Sequence, residues 1–310
     1  MQQGHQRIAV RIGISGASGK LGRLAVDAAL ARVRPADLVV TTRTPAALAD
    51  IERLGVDVRH ADFDVPASLE RAFAGVERLL LISASNDTGK RTDQHAAAIA
   101  AARRAGVRHL VFTSMPRADE ALHPVGLTAE EYRDAELLLA GSGVPYTILR
   151  NAPYAELHVI ERLLPALQAG ELRINAGTGT AAFISRPDIA EAAITVLLQD
   201  GHEGKTYDVT GNELLTYRQV VERAARVTGA ALGYVDLDDS AFEHEATAAG
   251  LPPALVDTMT RIGKAIREGY FAVRSDFFRE VMGREPVSVR DVMQTHVEAL
   301  RAAAGKRGDA

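Results

Sequence analysis

The sequence predicts an α/β protein built on a doubly wound parallel sheet, and three observations carry that expectation. Short β-branched strands alternate with helix-length segments through the first half of the chain, which implies parallel crossovers. A glycine-spaced loop joins the first strand to the first helix, the place where such sheets bind a nucleotide pyrophosphate. After Arg150 the pattern loosens, with no repeat and no low-complexity linker. We therefore expect a Rossmann-type, dinucleotide-binding domain over residues 1–150. A smaller, mostly helical substrate-binding lobe is expected over residues 151–310, with some of its segments returning to the sheet.

In order, Ile8 to Ile14 reads as the first strand and Leu21 to Arg32 as a helix. Leu38 to Thr42 is a strand, and Pro45 to Leu54 a helix opened by its proline. Val56 to Arg59, Val76 to Ser83, Val107 to Ser114 and Tyr146 to Arg150 complete six strands. Between them lie helices at Ala67 to Phe73, Asp93 to Ala105 and Thr128 to Ala140. Beyond Arg150 we expect a helix from Tyr154 to Gln168, a short strand from Ala181 to Ser185, and a helix from Arg186 to Leu198. A strand from Lys205 to Val209 and a helix from Thr216 to Thr228 follow. The remainder is mostly helical, broken at Gly250 to Pro253 and at Gly283 to Pro286.

Composition excludes several chemistries. With no cysteine in 310 residues there are no disulfides, thiolate metal sites or thiol nucleophiles. A net charge of −4 carries no nucleic-acid signature. No apolar run approaches the roughly 20 residues of a membrane span, and no secretion signal is visible, so a cytoplasmic protein is the expectation. The histidines lack zincin spacing, and no Gly-x-Ser-x-Gly elbow occurs. His95 and His109 read as structural. Asp236 to Asp239 reads as a helix start capped by Asp239 or Ser240 rather than a metal site. Only five of the 36 basic residues are lysines.

Ser15-Gly16-Ala17-Ser18-Gly19-Lys20-Leu21-Gly22 is the phosphate loop. Small residues let its backbone approach a pyrophosphate, which the helix N-terminus stabilises, and Gly22 permits close helix packing. Where an NAD site carries a carboxylate after the second strand, this chain has Arg43. A guanidinium there suits the 2′-phosphate of NADPH, the alternative being a solvent-facing side chain. Asp62, ending the third strand, faces either the adenine amino group or the following helix as its N-cap.

Gly16 to Gly22, Arg43-x-Pro45, Leu80 to Ser85, Gly106 to Ser114, Leu149-Arg150-Asn151-x-x-Tyr154, Arg186-x-Asp188 and Gly204 to Gly211, in this order, resemble the NmrA-like group of atypical short-chain dehydrogenases. Within it, the chain looks most like the quinone oxidoreductase type 2 branch, with triphenylmethane reductases nearby. The resemblance implies NADPH as cofactor, with Gly16 to Leu21 on the pyrophosphate and Arg43 on the 2′-phosphate. It also implies Ser83, Ala84 and Ser85 along the ribose and nicotinamide, and Arg150, Asn151 and Tyr154 beside the nicotinamide and substrate. Tyr154 and His158, four apart on one helix, share a face that either meets substrate or packs.

A Tyr-Lys dehydrogenase lowers its tyrosine pKa with a lysine four residues on. Here Ser114 and Tyr132 stand at the expected places, but Glu136 follows Tyr132 by four. The group's usual lysine matches Leu137, and no lysine occurs between Lys90 and Lys205. The expectation is direct hydride transfer to a quinone or similar conjugated acceptor, with Ser114, Tyr132 and Tyr154 as substrate-positioning hydroxyls. The alternatives are a non-enzymatic nucleotide sensor, or a reductase of dyes, imines or enones. The partner expected is a small molecule, with a homodimer as the base-rate assembly.

Overall fold

The computed structural model describes residues 10–84, 90–121 and 123–306. The elements of the first half are β1 (Ile12–Ile14), α1 (Lys20–Leu30), β2 (Leu38–Thr42), α2 (Ala49–Glu52), β3 (Asp57–His60) and α3 (Pro66–Phe73), then β4 (Arg78–Leu81), α4 (Arg91–Arg104), β5 (His109–Ser114), α5 (Leu127–Gly141) and β6 (Tyr146–Asn151). Next come α6 (Glu161–Ala169), β7 (Glu171–Ile174), α7 (Arg186–Leu198), β8 (Lys205–Val209), α8 (Tyr217–Thr228) and β9 (Gly233–Asp236). The chain closes with α9 (Asp239–Ala248), α10 (Pro253–Arg267), α11 (Phe277–Met282), α12 (Val289–Thr295) and α13 (Val297–Gly305).

Two compact units result. The first comprises Met1–Met115, Glu131–Arg150 and Arg186–Tyr207; the second comprises Pro116–Glu130, Asn151–Ser185 and Asp208–Ala310. In the first, seven strands lie in the order β3-β2-β1-β4-β5-β6-β8, and the pairings from β3 through β6 are all parallel. The chain leaves β1 toward β2 and β3, then returns to place β4 on the other side. This reversal opens a crevice beyond the carboxyl ends of the strands. Apolar runs form these strands because both faces are covered: Ile12, Ile14, Leu38 to Val40, Leu79 to Leu81 and Leu110 to Phe112 are all buried. Phe73, Leu79, Ile99, Phe112, Leu139 and Ile148 belong to one continuous core. Full burial of each such side chain contributes about 1.5–3 kcal/mol. Elsewhere α1 packs along α7, where the Arg32 guanidinium donates to the Thr195 hydroxyl at 2.5 Å.

The second unit holds a two-stranded parallel sheet, β7 with β9, among its helices. Neither strand is expected from the sequence; each has four residues, with little room for an alternating pattern. Four local expectations need correction. Pro45–Leu48 is a 3₁₀ turn leading into the single turn of α2, not one continuous helix. The helix expected from Tyr154 begins instead as a π-helical turn, Glu156–Ile160, before α6. Residues 181–185 form only isolated bridges, Ala181 to Leu215 and Ile184 to Tyr154. The cap of α9 is Asp238, whose carboxylate accepts from Ala241 N at 2.7 Å, because Asp239 is drawn into a two-pronged pair with Arg267.

Candidate nucleotide-binding site

The glycine loop is shaped by backbone contacts that side chains would forbid. Gly16 has a φ of +63°, and a Cβ on Gly22 would collide with the Gly16 carbonyl oxygen and lie 2.8 Å from Ala17 Cα. Gly19 N donates to Gly16 O at 2.9 Å, and Ala17 N donates to Thr41 O at 3.0 Å, fixing the loop against β2. Gly19 is also the N-cap of α1 and makes no side-chain cap bond; the first turn of α1 carries no acidic residue. The leading N–H groups of α1 therefore present an uncompensated positive end, as an anion requires.

A cavity of about 320 Å³ opens there, beyond the ends of β1 to β4. Of the expected cofactor residues, Gly16, Ser18, Gly19, Arg43, Asp62, Ser83 and Ala84 line it. Ser15, Ala17 and Leu21 are buried beneath the loop instead. The Ser15 hydroxyl accepts from Ile82 N at 2.9 Å and ties β1 to the chain leaving β4. Lys20 is exposed at the start of α1 and is not among the lining residues. Ser85 lies outside the described residues.

Arg43 is exposed on the cavity wall and has no ion-pair partner among the described residues. Ser18 Oγ and Thr42 Oγ1 are 2.7 Å apart, and Thr42 Oγ1 also accepts from Thr44 N at 3.2 Å, so the turn carrying Arg43 is braced on the glycine loop. Asp62 does not cap α3, whose N-cap is Val65. Its carboxylate accepts from Asp64 N at 3.0 Å and stays on the cavity wall beside Phe63. Gln94, which the sequence reading missed, also lines the cavity and donates to Asp64 at 3.0 Å. Its only signal is position, in the first turn of α4.

The two hydroxyls expected to work together are separated into different networks. Ser114 Oγ donates to Glu136 Oε1 at 2.6 Å, and Arg150 grips the same carboxylate through Nε at 3.0 Å and Nη2 at 2.6 Å. Ser114 and Glu136 are buried and the Arg150 side chain nearly so. This lock joins β5, α5 and β6 and commits the Ser114 hydroxyl to a carboxylate. Tyr132 OH lies instead 2.9 Å from Ser83 Oγ, with the Arg91 guanidinium 5.0 Å from its ring centroid. Arg91 pairs with Glu131 at 3.5 Å in a buried setting, and burial raises the Glu131 pKa.

Asn151 ends β6 and is assigned to the second unit. Its side chain is buried, and both amide atoms lack a partner among the described residues. Tyr154 also falls in the second unit, where it bridges Ile184 and its carbonyl accepts from His158 N at 2.8 Å.

Strand order, glycine loop and cavity together define a dinucleotide-binding protein. The chain belongs to the NAD(P)H-binding family, whose profile it matches over residues 16–200. It is 37% identical over 248 residues to quinone oxidoreductase 2 of Escherichia coli, covering 80% of this chain and 85% of that one. It is 32% identical over 287 residues to the (4-alkanoyl-5-oxo-2,5-dihydrofuran-3-yl)methyl phosphate reductase of Streptomyces griseus, covering 93% and 98%. Among solved structures, the Escherichia coli NADPH-dependent quinone oxidoreductase complexed with NADPH superposes with a TM-score of 0.87 at 33% identity, over 93% of this chain and 99% of that one. The triphenylmethane reductase of Citrobacter gives the same TM-score and coverage at 30% identity.

Proposed function

We propose that the protein is an NADPH-dependent reductase that delivers hydride directly to a quinone or a similar conjugated acceptor. The observation that carries this reading is the Ser114–Glu136–Arg150 lock. A carboxylate occupies the position where a Tyr-Lys dehydrogenase holds its ammonium, and it takes the Ser114 hydroxyl with it. No residue of that cluster is left to activate Tyr132 as an acid or base. A quinone does not need one, because its reduced oxygens are stabilised and take protons from solvent or a nearby hydroxyl.

When bound, the nucleotide would supply the hydride. The chain's own residues bind and orient it. The glycine loop and the open end of α1 suit the pyrophosphate, Arg43 suits the 2′-phosphate, and Asp62 with Phe63 suits the adenine end. Ser83 and Ala84 form the wall that continues from β4. Neither Ser114 nor Arg150 is retained as a ligand-contacting group in this reading. The relatives' names support a reductase of quinones or dyes. No helix among the described residues is long and apolar enough to cross a membrane. We take the cytoplasm, where this nucleotide is available, as the compartment. A homodimer is our reading of the assembly, supported by the exposed Leu137 and Leu138 on α5.

Steady-state oxidation of NADPH, followed by loss of nicotinamide absorbance with a panel of benzoquinones and naphthoquinones, tests the activity. Acceleration by the panel is expected. Tight NADPH binding with no acceptor accelerating its oxidation would sink the reductase reading and leave a sensor.

A further inference from the structure

Where the chain leaves β4, three consecutive backbone N–H groups pass out of the sheet ladder, and each is met by a side-chain acceptor from a different element. Ile82 N donates to Ser15 Oγ at 2.9 Å, Ser83 N to Thr113 Oγ1 at 2.9 Å, and Ala84 N to His95 Nε2 at 3.0 Å. The Ser83 hydroxyl is held in turn by Tyr132 OH at 2.9 Å and by Thr113 Oγ1 at 3.3 Å. Ile82, Ser83 and Ala84 all line the nucleotide cavity. A segment with no strand or helix of its own is thus fixed residue by residue from β1, β5, α4 and α5.

We propose that His95 and Tyr132 are positioning residues for NADP(H). His95 holds the backbone of the cavity wall through Ala84, and Tyr132 aims the Ser83 hydroxyl. This rests on the reading that the cavity takes NADPH.

The chemistry of His95 is specific. To accept from Ala84 N its Nε2 must be bare, so the ring is neutral with its proton on Nδ1. Complete burial favours that state, and desolvation with the nearby Arg91 pushes its pKa down to about 3. The ring stands edge-on to Phe112, centroids 5.1 Å apart at 82°, which sets its plane. A purely packing histidine would need no bare nitrogen aimed at a cavity-lining amide. Tyr132 likewise has its hydroxyl on Ser83, not on Ser114 or Glu136, and its ring against Arg91 and His95.

The test compares His95→Phe, which keeps a ring but loses the acceptor, with His95→Gln, whose amide oxygen falls where Nε2 stands. Binding is read from the fluorescence of NADPH itself, and folding from thermal unfolding without nucleotide. His95→Phe is expected to raise the NADPH Kd by roughly tenfold or more, as a cavity-wall amide left without its acceptor implies. His95→Gln should restore most of that loss, and the quinone KM should change less than the NADPH Kd. Tyr132→Phe should weaken NADPH binding several-fold with its unfolding midpoint nearly kept. If His95→Phe does not fold, Thr113→Val, which removes the neighbouring acceptor at nearly constant volume, takes its place with the same expectation. NADPH binding at the wild-type Kd in the folded acceptor-removing variant, or equal losses in His95→Phe and His95→Gln, overturns the proposal. Failure of the wild-type protein to bind NADPH overturns the cofactor reading beneath it.

Discussion

Arg43 and Glu136 show how much one side chain decides. Arg43 stands on the cavity wall with no acidic partner among the described residues, so its charge is available to a 2′-phosphate. A charge-assisted bond of that kind contributes about 1.5–3 kcal/mol, so Arg43→Ala should weaken NADPH roughly 10- to 150-fold. NADH, which lacks the phosphate, should lose little. Titration of both nucleotides against both proteins reads the difference directly; equal losses would remove Arg43 from the phosphate. What the sequence showed at that position was an arginine in place of a carboxylate after β2, and the structure puts that arginine on the cavity wall. Glu136 was legible only by its sign. The sequence shows an acid where an ammonium was needed, but nothing in it shows that Arg150 and Ser114, from two strands, would converge on that acid. Likewise nothing in the sequence shows that His95 Nε2 would meet Ala84 N, a contact across 11 residues of chain.

At the level of elements, the loop between β1 and α1 depends on the absence of a side chain. Gly22 lies in the first turn of α1, where an added Cβ would meet the Gly16 carbonyl and Ala17, so Gly22→Ala must push helix and loop apart. We expect the overpacked variant to lose about 1–3 kcal/mol of stability. Its NADPH Kd should rise at least tenfold, as roughly 1.4 kcal/mol of lost binding implies. Gly141→Ala, at the end of α5 where a Cβ meets nothing within 4 Å, is the control and should be neutral or slightly stabilising. Similar thermal midpoints and nucleotide affinities for the two variants would contradict the steric account. The same elements show why the first half was readable and the second less so. Strands β1, β2, β4 and β5 are inner strands that carry buried apolar runs, whereas β7 and β9 have exposed or half-buried positions and only one partner each. The π-turn ahead of α6 leaves no trace in apolar spacing; Pro165, inside α6, is the one local sign that this helix would be irregular.

At the scale of the whole molecule, acid stability follows from buried histidines in both units. In the first unit, Thr147 Oγ1 spends its proton on His202 O at 2.6 Å, so His109 must donate to Thr147 at 2.8 Å. Its other nitrogen, buried and bare, is where a second proton would go, and desolvation lowers its pKa to about 4. His95 is lowered further, to about 3. In the second unit His123 accepts from Val125 N at 3.2 Å and packs on Tyr270, and desolvation takes its pKa to about 4. An unfolded histidine titrates near 6.5, so between that pH and about 4 the unfolded chain holds protons the folded one refuses. Stability is therefore full above about pH 6.5 and falls as pH drops, each histidine contributing at most about 1.4 kcal/mol per pH unit. Glu131 works the other way, because its raised pKa lets the folded chain take a proton first, but it is one group against three. Carboxylates held low by arginine, such as Asp57 and Asp239, add their loss at still lower pH. Urea unfolding from about pH 7.5 to about pH 4.5 should show the midpoint declining steadily below the histidine range. His109→Gln, which cannot charge, should flatten the slope. A midpoint unchanged down to the carboxylate range would mean that these rings take up their protons without leaving the fold.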